Sequence, residues 1–392
     1  MFPVHVYYDD YEPNNPLGPH CDKLGAVYLQ LPFLPPECQS KINNILLALL
    51  FNTEDRVSYG NEAVFKPLIK ELTKLEEGIW VDTADGPMQV FFVTGLILGD
   101  NLGLNGMCGF MEEFTANYVC RICKVHKNDI GHLYVEEPTL LRTRENYLED
   151  VQVQDGTETG VKEMCVFDEI PSFETPTDIS VDCFHDTDEG VSHYVMVPVI
   201  LHFHRLCPTF VDTLNQRLYM IDLGVDSDNR PPSIDIDRLT SKKKIKMTGA
   251  EMLNFVRIFG TLVVDLVPLE DSFYELYLLL HDIVSICHAT VISKQCPVIL
   301  EILVKELDRL YVHLSGETLK PKHHFLTHYS RLCYLFGPIG CLSTIRLEAK
   351  HKFLKSISNV CVCRKNLPMT VAIKHQLKVD SQFRRHFWLS GH

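Results

Sequence analysis

The sequence predicts an α/β fold, and three observations carry the prediction. Two β-branched and aromatic runs near the N-terminus, Val4-His5-Val6-Tyr7-Tyr8 and Ala26-Val27-Tyr28-Leu29-Gln30-Leu31, have strand character. Segments over residues 252–266, 272–285 and 298–313 repeat apolar side chains every three and four positions, the period of an amphipathic helix. Hydrophobic residues make up 46% of the 392-residue chain and charged residues 22%, which is enough apolar surface for a sizeable core.

In chain order, Glu12-Pro13-Asn14-Asn15-Pro16-Leu17-Gly18 is a turn-rich connector between the first two strands. Helices are expected over 41–51 and 62–75, the second carrying Val64, Leu68, Ile69, Leu72 and Leu75 at helical spacing. A strand pair follows over 79–82 and 88–98, joined by Ala84-Asp85-Gly86-Pro87, and its second member runs straight into Gly99-Asp100. Residues 128–180 are rich in Glu, Asp and Thr without strong periodicity, as in a long, partly ordered insertion. Residues 223–245 read as a charged loop, and Thr248 is a suitable N-cap for the helix after it. Lys242-Lys243-Lys244-Ile245-Lys246 has the composition of either a nuclear import signal or a solvated lysine run. Beyond Gly337-Pro338 a helix beginning near Ser343 carries Glu348. The expected division is 1–125 for the first part of a core, 126–320 for an insertion that is acidic and then helical, and 321–392 for the rest of the core with a basic helix.

Charge is distributed unevenly. The whole chain carries a formal −14, yet residues 320–385 hold thirteen Lys and Arg against two acids, Glu348 and Asp380. The overall sign excludes nucleic-acid binding across the whole surface and leaves the basic end as the candidate interface. Fourteen cysteines are diluted over the chain, several inside apolar runs, and no secretory leader pattern precedes them. Most are expected to be reduced core residues, Cys287 and Cys333 among them, with a minority available for metal. No uninterrupted apolar run reaches membrane-spanning length, so no membrane partner is expected, and the location expected is the nucleus or otherwise the cytoplasm.

Three acids are placed where chemistry could use them. Asp9 closes the first expected strand, Asp100 closes a later one, and Glu348 lies on a helix near the C-terminus. Strand end, strand end, helix is the order in which an RNase H-like sheet presents three metal-binding carboxylates. Such a site takes two Mg2+ or Mn2+ ions, because hard cations prefer oxygen ligands and leave positions open for water and phosphate. Asp10 competes with Asp9, since neighbours in a strand point to opposite faces. The bland reading of Glu348 is an exposed residue paired with Lys350 and Lys352.

Residues 9–18, Gly25-Ala26-Val27-Tyr28 and Leu31-Pro32 together resemble the first catalytic strand and hairpin of CACTA-type DDE transposases. The second catalytic block of that family is similar to Phe65-Lys66-Pro67-Leu68-Ile69-Lys70-Glu71-Leu72 with Gly99-Asp100-Asn101-Leu102-Gly103, Gly109-Phe110 and Cys120-Arg121-Ile122-Cys123. The third is similar to Gly337-Pro338 with Arg346-Leu347-Glu348-Ala349-Lys350-His351. The resemblance spans a little over half the chain. It implies an RNase H-like catalytic core interrupted by a large, mainly helical insertion, with Asp9, Asp100 and Glu348 as ligands of two Mg2+ or Mn2+. It also implies Arg346, Lys350 and Lys352 as DNA backbone contacts, DNA as the partner, and a homodimer as the candidate assembly.

A second constellation is Cys120-x-x-Cys123 with Lys322-His323-His324-Phe325-Leu326-Thr327-His328. Two thiolates and two imidazoles make a closed tetrahedral zinc site, with redox chemistry as the competing use of a CxxC pair. The layout resembles that of the V(D)J recombinase catalytic subunit and its Transib relatives, which implies His323 and His328. Helix spacing instead favours His324 with His328, and His126 and His132 remain candidates. Asp182-Cys183-Phe184-His185 resembles the (C/D)xxH motif in the insertion of several DDE transposases; His185 would orient a phosphate or an acid, or Cys183 and His185 would be buried at a helix start. The sequence begins a few residues before its first catalytic strand, with no finger, zipper or helix-turn-helix signal ahead of it. That leads to the expectation of a truncated or domesticated element, either an active polynucleotidyl transferase or a non-catalytic, zinc-stabilised DNA- or protein-binding module.

Overall fold

The strand Phe2–Tyr11 (β1) is paired on both sides and buried on both faces over Val6, Tyr7 and Tyr8. The computed structural model describes residues 1–13, 22–39, 41–268 and 270–389, so the expected connector positions Asn14 to Gly18 lie outside the described residues. The chain divides into two units, Met1–Glu113 with Arg142–Ser180 and Thr344–His392, and Phe114–Leu141 with Val181–Ser343. This differs from boundaries at 125/126 and 320/321: residues 114–125 and 321–343 belong with the second unit, and 142–180 with the first.

The first unit is built on a mixed sheet. β1 runs antiparallel to Leu24–Gln30 (β2), which runs antiparallel to Leu46–Asn52 (β3). Two further strands, Ile79–Thr83 (β4) and Gly86–Val90 (β5), form a separate hairpin. Phe92–Gly99 (β6) returns parallel to β1, giving the order β3-β2-β1-β6. Beyond β6, Ile97 forms a parallel bridge to Ile179.

Alternation along β1 sorts its side chains by face. Val6 and Tyr8 join Phe51, Phe65, Leu68 and Ile69 in a core beneath the helix Thr53–Glu77, with Phe65 edge-on to the Tyr8 ring at 5.8 Å. Each such buried aromatic or aliphatic side chain stabilises by about 1.5–3 kcal/mol. On the opposite face Tyr7 stacks on its cross-strand partner Tyr28 at 5.8 Å, and the helix Ile345–Ser358 places His351 against Tyr11 at 4.9 Å.

Several expectations are corrected. Residues 41–51 form a short turn at Ile42–Asn44 and then β3, not a helix: an apolar run this short has no decisive period, and pairing with β2 decides it. The single strand expected over 88–98 is two strands in two sheets, β5 and β6. Within 223–245 the chain forms a helix at Ile236–Lys242, capped by Asp235, whose Oδ1 accepts from Arg238 N at 3.0 Å. Residues 142–180 are held by buried groups, with Tyr147 and Phe167 in the core and Arg142 Nη1 donating to Asp150 Oδ2 at 2.8 Å. Acidic residues there serve as caps and ion-pair partners, where composition alone reads as only partly ordered.

The second unit is helical. Its buried helix Ser192–Leu206 is followed by Gly249–Val263, Ser272–Cys287 and Cys296–Ser315, close to the expected spans. Thr248 is the N-cap as expected, in a reciprocal capping box with Glu251. Cys287 and Cys333 are buried and free. Among the described residues no single helix is long and apolar enough to cross a membrane.

Removing Asp150 leaves the buried Arg142 guanidinium without its carboxylate partner. Asp150→Ala is expected to destabilise the protein by about 3–5 kcal/mol in chemical denaturation. A loss within about 0.5 kcal/mol, typical of a surface change, would show that the pair does not anchor this segment.

Candidate functional site

Asp9 and Asp100 are brought together by strand pairing. The parallel β1/β6 pair ends at Tyr7↔Leu98 and Tyr8↔Gly99, and continuing that register by one residue sets Asp9 beside Asp100. A bulge produces that register. The pairing shifts by one residue between Val4↔Thr94 and Val6↔Ile97, and the displaced Leu96 N donates to His5 Nδ1 at 3.0 Å. Without the shift, Gly99 would stand beside Asp9. Gly95 leaves room for the His5 ring at the bulge, since an added Cβ would lie 3.0 Å from it and the ring would have to give.

Asp100 is also the N-cap of the short helix Asn101–Met107, its Oδ1 accepting from Gly103 N at 2.5 Å. A Cβ at Gly103 would approach that oxygen to 2.8 Å, which accounts for a glycine three residues after the acid. Asp9 accepts from Tyr7 Oη at 3.2 Å and lies 3.6 Å from His351 Nδ1. Asp10 points to the other face, where Tyr8 Oη and Thr53 Oγ1 donate to its Oδ1 at 2.7 and 3.0 Å. Asp9 is thus the member of the pair on the face of the Glu348 helix.

Glu348 sits in the first turn of Ile345–Ser358, one helical turn before His351, and accepts from Thr344 Oγ1 at 3.1 Å. Residues three apart share a helix face, so the face that brings His351 to Asp9 also carries Glu348. Among the described residues, Asp9, Asp100 and Glu348 are not a set whose ligand oxygens all lie within 4.8 Å of one another. Lys350 departs from its expected role as a DNA contact. It is buried, donates to Ile42 O at 2.9 Å and lies 5.1 Å from the Phe353 ring centroid, with burial and nearby Lys378 lowering its pKa to about 8. Arg346 and Lys352 are exposed.

In the second unit Cys120, Cys123, His324 and His328 form a buried cluster with all four ligand atoms within 4.8 Å of one another. Cys120 Sγ is 3.5 Å from His328 Nε2, Cys123 Sγ is 3.2 Å from His324 Nε2, and the two Nε2 atoms are 3.2 Å apart. A tetrahedral zinc with Zn–S of about 2.3 Å and Zn–N of about 2.0–2.1 Å requires edges of roughly 3.3–3.6 Å between such atoms. The donor set therefore fits a structural metal such as zinc. Ile122 N donates to Cys120 Sγ at 3.4 Å, and Lys124 N bonds to Leu140 O at 2.7 Å, pinning the CxxC turn. Burial opposes thiolate formation at Cys120, but its bond to Cys123 and the adjacent His328 and His324 hold its pKa well below the usual thiol value.

His323, implied by the resemblance, is corrected to His324. The His323 ring turns away to Asp308, Nδ1 to Oδ1 at 2.7 Å, between Tyr194 and Tyr311. The four-residue spacing of His324 and His328 is what puts both rings on one side of the turn. His126 and His132 are not members of the cluster. Sequence reading missed Glu136, which holds His328 Nδ1 at 2.5 Å and is itself gripped by Arg331 Nε at 2.8 and 3.0 Å. The carboxylate fixes the tautomer that directs Nε2 at the metal position. Glu136 lies thirteen residues after Cys123, with no spacing signal to mark it.

Asp182 is fully buried and binds His185 Nδ1, while its Oδ1 caps Phe184 N at 3.1 Å at the start of the wide helical turn Phe184–Val191. The same turn buries Asp186, which accepts from Tyr329 Oη at 2.9 Å, and Asp188, which faces His288 Nε2 at 2.9 Å. Burial raises the Asp188 pKa above the ordinary carboxylate value, against the pull of His288. Comparison with known proteins returns no matching family model and no matching curated protein.

Elemental analysis of the purified protein is expected to find about one zinc per chain. His324→Ala should lose the metal and His323→Ala should keep it, and Glu136→Gln should weaken it by about 10–100-fold. Release by His323→Ala with retention by His324→Ala would reverse the ligand assignment.

Proposed function

We propose that the first unit is the RNase H-like core of a DDE-type polynucleotidyl transferase, derived from a CACTA-like transposase and acting on DNA with two Mg2+ or Mn2+ ions. The observation that carries the reading is the register that sets Asp9 beside Asp100 at the ends of parallel strands, with His351, one turn beyond Glu348, against Asp9. The sheet order supports it: three antiparallel strands, then a parallel strand on the far side of β1 and a parallel bridge beyond that at Ile179.

Two cations about 3.5–4 Å apart would activate the attacking oxygen and stabilise the leaving one. Asp9 and Asp100 would bracket the pair, and Glu348 would complete the ligands of the second ion. Ligands spread around two ions need not meet within one ion's radius, which accommodates the wider separation of these carboxylates. The His351 ring lies 3.6 Å from Asp9 Oδ2, and Tyr7 Oη donates to that same oxygen. The nucleophile is water or a 3′-hydroxyl, so no covalent protein intermediate is required. DNA as partner, a homodimeric assembly and a nuclear location belong to this reading. The alternative, a non-catalytic module that binds DNA or protein, draws on the same separation of the acids and on the diversion of Lys350 to Ile42 O.

Nicking of plasmid DNA in Mn2+ separates the two. The protein is expected to cut, with Asp9→Asn and Glu348→Ala each reducing the rate on the order of 10²–10³-fold, the scale of losing one group that stabilises transition-state charge. Undiminished cutting by Glu348→Ala would remove it from the site. DNA binding without any cutting would favour the alternative.

A further inference from the structure

The second unit holds a cleft of about 860 Å³, lined by Ile234, Asp235, Arg238, Lys244, Ile245, Lys246 and neighbouring residues up to Glu251. That volume lies in the range of ligand sites. Its apolar floor is fixed: Ile234, Leu239 and Ile245 are all buried. Its two carboxylates are occupied, Asp235 capping Arg238 N at 3.0 Å and Glu251 accepting from Thr248 N at 2.8 Å. Its three cations are not. Among the described residues Arg238, Lys244 and Lys246 have no carboxylate within 4.0 Å, and Arg238 Nε is enclosed without an acceptor.

The lysine run is part of this wall. Lys242 ends the helix Ile236–Lys242, Lys243 adopts a left-handed cap (φ +46°) and pairs with Glu317 at 3.0 Å, and buried Ile245 anchors the exposed Lys244 and Lys246 on either side. A lysine-rich segment is an import address, a solvated run or a cationic surface for phosphates. The tie at Lys243 and the burial of Ile245 hold this one against the cleft, which favours the last. In a chain of net charge −14, three cations without a carboxylate partner lining one cleft with an apolar floor complement an anion with an apolar body.

We propose that this cleft binds a nucleic-acid strand, with Arg238, Lys244 and Lys246 on phosphates and a base against Ile234, Leu239 and Ile245. The proposal stands independently of the chemistry assigned to Asp9, Asp100 and Glu348.

The test is fluorescence anisotropy of the full chain with a fluorescein-labelled single-stranded DNA of about 20 nucleotides across a salt series, with circular dichroism as the folding check. The double variant Lys244→Glu/Lys246→Glu alters exposed side chains only and should weaken binding about 10-fold or more near 0.1 M salt. Its log K against log[salt] slope should be shallower by about 1.4, the loss of two single-strand phosphate contacts. Arg238→Gln should weaken binding in the same direction. Unchanged affinity and slope in the double variant would overturn the proposal. So would displacement of the strand by dAMP at equal nucleotide concentration, which would make the cleft a mononucleotide site. Loss of nuclear accumulation with strand binding intact would overturn it in favour of an import signal.

Discussion

The register of β1 against β6 is the constraint on which the first unit depends. Side chains on a strand alternate with a period of two, so a one-residue slip would exchange the Val6/Tyr8/Asp10 set with the Tyr7/Asp9/Tyr11 set. The first set belongs to the core under Thr53–Glu77 and the second to the face covered by Ile345–Ser358. Both faces are buried around Tyr7 and Tyr8, so neither set tolerates the exchange. The bulge at Gly95-Leu96 then advances β6 by one position, and His5 satisfies the backbone N–H that the bulge releases. Placement of Asp100 beside Asp9 is a consequence of packing several residues upstream of either acid.

The Cys/His cluster applies a comparable constraint in the second unit by joining residues far apart in sequence. Cys120 and His328 are separated by 208 positions, and a metal held by both restricts the chain between them. A preformed site of this kind rarely exists in an unfolded chain, so metal affinity there contributes directly to folding. The Glu136 carboxylate and Arg331 extend the constraint outward, because each ring orientation depends on the group behind it. Phe325 fixes the same turn, lying 5.7 Å from the fully buried Arg121 of the CxxC motif.

What was legible in the sequence was local. Long periodic helices such as Ser272–Cys287 and the Thr248 capping box are written in contiguous residues, and so are the strand character of Val4 to Tyr8 and the CxxC pair. Short apolar segments were not legible: Leu46–Asn52 has the composition of a helix and becomes a strand only because β2 offers it a partner. The same holds for β5 and β6, adjacent in sequence and assigned to different sheets. In the Cys/His cluster the residue present is His324, which helix spacing favours, and not His323, which the resemblance implies, since a one-residue shift rotates a helical side chain by about 100°. Glu136 had no legible signal, because a carboxylate behind a histidine is defined by tertiary structure alone.

Charge counted along the sequence also overstates the cationic surface of residues 320–385. Lys320 pairs with Glu317 and covers the Tyr194 ring at 4.2 Å, and Lys322 donates to His185 O at 2.8 Å. Arg331 grips Glu136, Lys350 is spent on Ile42 O, and Lys378 lies 4.0 Å from the Phe353 ring centroid. Each of these cations stabilises a turn or a helix and is correspondingly less available to a phosphate. A lone acid amid many cations therefore overstates the field felt at Glu348. What distinguishes Glu348 is its position: the first turn of a helix whose next turn contacts Asp9. Placement relative to the strand ends, more than the surrounding charge, is the physical argument for the role proposed for it.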